Sequence, residues 1–265
     1  MRGFQVVIVM IVGLGLLTGC AGKPLEGPSL MQEAITLEQR AIRAAQSQDF
    51  TLADNLAAES LDLYTVLDNR DGQTRLLILR TRLALQGGLQ KRARRFLRRA
   101  QALVRPEDRN AQYELALLAG HLAEDRKAQY EKALAVTEEP LRQAVALTYL
   151  GRFAEARELV EKAKPKTRRE FDDLGLVLYE HARSSNSEAD ARQALGYYKV
   201  AENILGISDT LFLLGKLASA RQDTAIARDY FERALAVNQR LGDEGRIGLT
   251  EKALADLAPA TATSP

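Results

Sequence analysis

Few residues in this chain could do chemistry: a single cysteine, Cys20, and two histidines, His121 and His181. The histidines fall in different helical segments, without cysteine or carboxylate neighbours at ligand spacing, so we expect helix-surface or turn residues and no zinc site. The chain has no glycine-rich phosphate loop, nucleophile elbow or dinucleotide fingerprint. We therefore expect no catalytic residue, no metal and no cofactor, and we expect that the protein is not an enzyme.

Cys20 follows a short apolar segment at the start of the chain. Arg2 precedes an apolar run over residues 4–17, and small residues stand just before the cysteine. A positive start, a hydrophobic region and small residues before a cleavage point are typical of an export signal. A transmembrane helix is the alternative, but a span needs about 20 predominantly apolar residues and this run is shorter.

The residues Leu17-Thr18-Gly19-Cys20 resemble the lipobox of bacterial lipoproteins. That resemblance implies cleavage before Cys20, a diacylglycerol on its thiol and acylation of the new amino terminus. One acyl chain binds a membrane only marginally, at about 0.8 kcal/mol per buried methylene, whereas the three implied chains would hold the protein there. Ala21 after the cysteine implies transfer to the outer membrane, so we expect a lipid-anchored protein of the bacterial cell envelope that faces the periplasm.

The chain as a whole has the composition of a folded protein. Hydrophobic residues make up 46%, charged residues 27%, and the formal net charge is only +2, which argues against nucleic acid as a partner. One cysteine permits no internal disulfide. We expect a signal peptide over residues 1–19, the lipidated cysteine with a flexible tether over 20–29, a helical repeat domain over 30–257 and a disordered tail over 258–265.

Helical periodicity runs through residues 30–257, which are rich in Ala, Leu, Glu, Arg, Gln and Lys. Several segments repeat a small residue, a larger residue four positions on and a small residue seven positions on. These positions share one helix face, where small side chains let a neighbouring helix approach and the larger one fills the gap, as in stacked helical hairpins. The copies are Ala93-Leu97-Ala100, Ala156-Val160-Ala163, Ala194-Tyr198-Ala201, Ala227-Phe231-Ala234 and a weaker Ala53-Ala57-Ser60.

This pattern resembles the tetratricopeptide repeat (TPR), best over residues 211–234, where Gly215 and Phe231 stand at packing positions of that family. A second good match covers residues 144–163. The resemblance implies an all-α, TPR-like α-α superhelix, or solenoid, of about six helical hairpins that is irregular in the middle. A generic helical bundle remains the alternative.

The repeat register is open in the middle of the chain. Near residues 107–137 either Arg126 or Ala128 could stand at the small-residue position, and with Ala128 the intervals on its two sides are 35 and 28 residues, against about 34 for the family. The polar segment Ser184–Asp190 predicts a lengthened turn within a hairpin.

Stacked hairpins create a concave face lined by their first helices, where such proteins hold a peptide or a partner helix. The surface would be basic with apolar spots, which suits an acidic-hydrophobic segment with Phe212 and Tyr149 as anchors. Solvated residues without a partner are the alternative. The family's groove positions correspond here to Arg75, Ile78, Arg82, Arg142, Tyr149, Phe212 and Lys216.

A basic patch over residues 91–99 has the densest charge in the chain. Within this segment Ala93, Phe96, Leu97 and Ala100 are expected to face inward. Anionic lipid attracts basic residues by about 1 kcal/mol each close to the surface, so the patch could meet headgroups or an acidic partner; a solvated helix back is the alternative. The patch consists of Lys91, Arg92, Arg94, Arg95, Arg98 and Arg99.

Anchor, repeat and missing catalytic residues together favour a noncatalytic scaffold lipoprotein facing the periplasm. It would mediate protein–protein interactions in the assembly of an envelope complex, such as a pilus, secretion or cell-wall machine. An alternative is a regulatory activator of a peptidoglycan synthase or hydrolase, which would use the same groove. A third is an enzyme with a helical-toroid fold.

Overall fold

The computed structural model describes residues 29–161 and 163–257, and in these residues the chain forms thirteen α-helices and no strand. The expected all-α fold is confirmed. The proposed signal peptide, Cys20, all of the tether before Ser29 and the tail over 258–265 lie outside the described residues.

The described helices belong to two compact units, one ending at Leu89 and the other beginning at Gln90. In the first unit, α1 packs on α2 and α2 packs on α3. These helices are α1 (Leu30–Gln46), α2 (Phe50–Val66) and α3 (Arg70–Gln86).

In the second unit, successive helices also pack as neighbours. Four hairpins, α5 with α6, α7 with α8, α9 with α10 and α11 with α12, follow one another, and α13 packs on α12. This order is consistent with a helical solenoid. The helices are α4 (Gln90–Leu103), α5 (Arg109–Leu122), α6 (Arg126–Val136), α7 (Pro140–Tyr149), α8 (Phe153–Val160), α9 (Arg168–Ser185), α10 (Glu188–Ala201), α11 (Ile204–Ala220), α12 (Thr224–Leu241) and α13 (Glu244–Asp256).

Short polar side chains begin most of these helices. Each cap accepts a hydrogen bond from a backbone N–H of the first turn, which would otherwise have no partner inside the helix. Such caps allow connections of only a few residues, so neighbouring helices within a unit can turn back and pack on one another. The side-chain caps are Ser29, Asp49, Asn69, Asp108, Asp125, Thr167, Ser187, Asn203 and Asp243.

The small-large-small positions lie at the helix contacts, as the sequence predicted. The first small residue of every copy is fully buried, and each larger residue is buried as well. Only two third positions, Ala163 and Ala201, are half-buried, and Ala163 lies beyond the end of α8. The fully buried first positions are Ala53, Ala93, Ala156, Ala194 and Ala227.

The register of the middle unit follows Arg126. Tyr130, four residues on, and Ala133, seven residues on, are both buried, whereas Lys132, which the alternative register would bury, is exposed. The alternative that used Ala128 is therefore wrong. With Arg126 the intervals to Ala93 and Ala156 become 33 and 30 residues, closer to a regular repeat.

The polar segment Ser184–Asp190 does not form the expected lengthened turn. Helix α9 continues to Ser185 and α10 begins at Glu188, so two residues connect them. Asn186 ends α9 in the left-handed conformation, at φ 56°, and the hydroxyl of Ser187 caps α10. Because an asparagine accepts this conformation and a serine caps directly after it, the extra residues lengthen the helices instead.

Aromatic rings lie on glycines of the neighbouring helix in both units. The ring of Phe231 in α12 packs on Gly215 in α11, where an added Cβ would lie 2.5 Å from the ring. Tyr198 in α10 contacts Gly175 and Gly206 in the same way, at 2.7 and 2.6 Å. A side chain at these glycines would displace the ring, so the glycines set how closely the helices approach.

Candidate functional site

The predicted groove residues lie in both units, and each group is placed within its own unit. In the first unit, Arg75 of α3 is bound to its own chain. Its guanidinium donates to both carboxylate oxygens of Glu38, at 2.7 and 2.9 Å, and lies 5.8 Å from the ring centre of Tyr64. The Tyr64 hydroxyl also donates to Glu38, at 2.7 Å. Arg75 therefore connects α3 to α1.

The electrostatics of this cluster favour the ionised pair. Burial alone would raise the pKa of Glu38, but hydrogen bonds from Arg75 and Tyr64 outweigh it and hold that pKa below its ordinary value. Burial and the neighbouring carboxylate raise the pKa of Tyr64 to about 12. A partner carboxylate would have to displace Glu38 from a two-point ion pair, so Arg75 is a poor docking residue.

The other predicted residues of α3 offer little surface. Ile78 is only 7% exposed and belongs to the core of the first unit, and Arg82 is half-buried. A partner at this helix could contact little of the Ile78 side chain.

In the second unit, Arg142 of α7 is likewise held by its neighbours. Its Nε pairs with Glu139 at 2.8 Å, its Nη1 donates to the Asn110 side chain, and its guanidinium lies 5.5 Å from the ring centre of Tyr113. The Tyr113 hydroxyl donates to the Arg142 carbonyl at 2.9 Å. These contacts join α7 to α5 and occupy the guanidinium.

Tyr149 belongs to a cluster of three rings that the sequence did not reveal. It stacks on Tyr130 with centroids 4.9 Å apart and meets His121 edge-on at 4.9 Å. The Tyr130 hydroxyl is 3.3 Å from His121 Nδ1. Burial raises the pKa of Tyr149, and burial with the nearby charge of Arg126 lowers the pKa of His121. Tyr149 thus packs α7 against α5 and α6.

Among the predicted groove residues, Phe212 and Lys216 of α11 best fit the predicted role of contacting a partner. Phe212 is half-buried, packs on Phe231 with centroids 5.3 Å apart, and lines a cleft of about 420 Å³. Lys216 is exposed one helical turn further along α11. The cleft is lined by Ser208, Asp209, Phe212, Asn238, Asp243, Gly245, Arg246, Leu249 and Thr250.

A buried polar chain contributes to the wall of this cleft. The Ser208 hydroxyl donates to Asn238 Oδ1, and Asn238 Nδ2 donates to the Thr250 hydroxyl at 3.3 Å. Thr250 in turn donates to the Arg246 carbonyl at 2.7 Å. Each of these three side chains has a hydrogen-bond partner on a neighbouring helix, so together they hold α11, α12 and α13 in place.

The cleft is not basic, although the sequence predicted a basic groove surface. Arg246 pairs with both oxygens of Asp209, at 2.9 and 3.3 Å, and with Asp243 at 2.6 Å. Two carboxylates thus face one guanidinium. The open surface of the cleft is apolar instead, since Phe212 and Leu249, a residue that is 62% exposed, both line it. The cleft can accept an apolar side chain against these two residues.

Sequence reasoning missed the contribution of α13 to this cleft. Asp243 and Arg246 stand 34 residues after Asp209 and Phe212, which is the period of the repeat family. Extending the period by one more first helix would have placed both residues beside the predicted Phe212.

The basic patch lies on α4, in the second unit. Lys91, Arg94, Arg95, Arg98 and Arg99 are exposed and Arg92 is half-buried, while the four inward positions are buried as expected. The guanidinium groups of Arg92 and Arg95 lie 5.4 and 5.7 Å from the ring centre of Phe96. Arg94 donates to the Leu122 carbonyl at the end of α5, at 3.2 Å.

Cys20 lies outside the described residues, so the structure places no lipidation site. Among residues 29–161 and 163–257, no helix combines the length and apolar character that crossing a bilayer requires. The same residues contain no group of three or more His, Cys, Asp or Glu side chains that could hold a metal ion.

No protein-family model matches the chain, and no curated protein sequence matches it either. The cleft, the basic patch and the amino-terminal sequence are therefore the features of the chain that point to a function.

Proposed function

We propose that this chain is a membrane-anchored, periplasm-facing scaffold lipoprotein with a TPR-like repeat domain of about six hairpins. It mediates protein–protein interactions in the assembly of an envelope complex, such as pilus, secretion or cell-wall machinery. Lipid on Cys20 anchors the protein, and the repeat domain binds the partner.

The cleft beside Phe212 is the single observation that carries the binding role. Repeat proteins bind partners along the face formed by their first helices, and α11 and α13 occupy that place in successive repeats. Phe212 and Leu249 form an open apolar wall, and the hydrogen-bonded side chains of the neighbouring polar residues hold the helices in place. The pocket is therefore preformed, because little has to reorganise when a side chain enters.

The chemistry of the cleft selects an apolar anchor on an extended or helical peptide. An aromatic or large aliphatic side chain fits between Phe212 and Leu249, where such anchors contribute most of the binding energy. Lys216, one turn along α11, is the nearest predicted groove cation and suits a carboxylate that follows the anchor.

The test combines site-specific photocrosslinking in the native envelope with a matched pair of variants. A photoreactive phenylalanine at position 249 should give a discrete protein adduct, whereas the same group at position 200 should not. Val200, 52% exposed on α10, does not line the cleft and serves as the control.

The substitution Leu249→Asp should reduce the yield of that adduct partner in co-purification by at least about tenfold, as expected for a lost anchor. Val200→Asp should leave it unchanged. A protein partner that co-purifies equally with both variants, or the absence of any protein adduct specific to position 249, would overturn the proposal.

A further inference from the structure

We propose that the outer face of α4 docks on the anionic phosphate headgroups of a membrane surface. The face is formed by Lys91, Arg94, Arg95, Arg98 and Arg99, called the five-cation face below.

These five cations lack the carboxylate partners that most arginines in the described residues have. Among the described residues no carboxylate lies within 4 Å of any of them, whereas Arg157, Arg192 and Arg233, for example, each form an ion pair with a carboxylate. Because the chain is close to neutral overall, this charge is local and uncompensated. Like charges on one helix repel one another, and a counter-surface of opposite sign would relieve that repulsion.

The five cations form a continuous arc. At 3.6 residues per turn their positions fall within about 140° of the helix circumference, and they extend over about 12 Å of its length. Ala93, Phe96, Leu97 and Ala100 on the opposite side are buried, so packing fixes the helix and the arc faces outward. All five charges can therefore approach one plane together.

The composition of the face favours lipid over a protein partner. Protein interfaces depend on buried apolar or aromatic anchors, and this arc offers none, since Phe96 is buried with two guanidinium groups beside its ring. Attraction to anionic lipid needs only charge near the surface. Four of the five residues are arginines, whose planar guanidinium group matches phosphate oxygens by two parallel hydrogen bonds.

This inference extends the proposed function without depending on the acyl chains or on the cleft. The lipid on Cys20 would keep the protein at a membrane, and the five-cation face would determine which side of the second unit lies against it. Failure at the cleft would therefore leave this inference untouched, and failure of this inference would leave the cleft untouched.

The experiment is vesicle flotation of the full chain carrying Cys20→Ser, so that no acyl chain contributes. One set of vesicles contains phosphatidylcholine alone and the other contains about one third phosphatidylglycerol, whose headgroup charge supplies the attraction. We expect binding above the neutral-vesicle level only with phosphatidylglycerol, and its loss when salt is raised to about 1 M, where the Debye length falls to about 3 Å.

Two charge-matched variants then locate the attraction. Arg94→Glu, Arg95→Glu, Arg98→Glu and Arg99→Glu together should lower the partition coefficient on anionic vesicles by at least about tenfold. The control reverses four scattered exposed cations, Arg40→Glu, Lys132→Glu, Lys199→Glu and Lys252→Glu, and should lose far less. Circular dichroism checks that both remain folded, and a fourfold Arg→Gln variant at the same positions replaces the first if it does not.

Equal losses in the two variants would overturn the proposal, because only net charge would then matter. So would the absence of binding to anionic vesicles above the neutral ones. Binding to polyglutamate, but not to anionic vesicles, that disappears in the α4 variant would also overturn it, in favour of an acidic protein partner.

Discussion

The ring of Tyr198 rests directly on the backbone of Gly175. A Cβ at Gly175 would lie 2.7 Å from two ring atoms of Tyr198, well inside van der Waals contact. The same ring contacts Gly206 on the next helix. One aromatic side chain therefore sets the separation of α9, α10 and α11.

Gly175→Ala should destabilise the protein by about 1–3 kcal/mol, because the new methyl group has to displace a buried ring. Urea or thermal unfolding measures the change. The control is Gly196→Ala in α10, where nothing lies within 4 Å and removal of a helical glycine should stabilise by about 0.5–1 kcal/mol. Equal stabilities of the two variants would contradict the close packing of Tyr198 on Gly175.

Asn238→Ala should destabilise the protein by about 1–3 kcal/mol, since it leaves the buried Ser208 hydroxyl without its acceptor and removes the hydrogen bond that Asn238 donates to Thr250. Denaturant unfolding of the single variants Asn238→Ala and Ser208→Ala and of the double variant tests the connection. The double variant should cost less than the two single changes added together, because both remove the same hydrogen bond. Strict additivity would show that these two side chains act independently.

Asp190 should contribute stability that depends on pH. Burial would raise the pKa of this carboxyl, but hydrogen bonds from Arg157, Ser187 and His181 outweigh burial and hold the pKa below its ordinary value of 3.8. A carboxyl with a lower pKa in the folded than in the unfolded state stabilises fully above the unfolded pKa. That contribution is lost as the pH falls from about 3.8 through the folded pKa.

Asp190→Asn should therefore reduce stability by about 1–3 kcal/mol at neutral pH, and the difference from the natural chain should shrink as the pH falls below 3.8. Unfolding measured across acidic pH gives the comparison. Asp229→Asn, at an exposed pair with Arg233, is the matched control and should change stability little. A difference for Asp190→Asn that stays constant down to the lowest pH would rule out this account.

Cys20 should carry lipid in a bacterial host that processes lipoproteins. Labelling with radioactive palmitate should mark the natural chain, and Cys20→Ser should abolish the label, because no other thiol is present. Equal labelling of both chains would exclude this cysteine as the anchor.

The helical contacts were predictable because they depend on spacing along one helix. A small residue such as Ala227, followed four positions on by Phe231, places both on a single face whatever the rest of the chain does. Burial confirmed both positions. The sequence left the middle register open between Arg126 and Ala128, and the burial of Tyr130, four positions after Arg126, decides it.

Spacing along one helix could not predict whether the groove arginines are paired within the protein. Arg75 pairs with Glu38, 37 residues earlier, and Arg142 donates to Asn110, 32 residues earlier, in addition to its local ion pair with Glu139. The long-range partners therefore come from a preceding hairpin. No local sequence pattern indicates which distant carboxylate or amide contacts a given guanidinium group. Sequence positions therefore predicted a candidate binding face, while tertiary contacts decided which of its residues stay available.

Because Tyr198 touches glycines on both sides, its helix cannot melt without loosening two neighbours at once. Such nearest-neighbour coupling makes fraying start at the outermost helices and travel inward. The last of the described helices, α13, has only one buried residue, Thr250, and still supplies four of the nine residues that line the cleft. A partner bound in the cleft would stabilise α13 against local unfolding. Partner binding would therefore also raise the stability of this end of the described array.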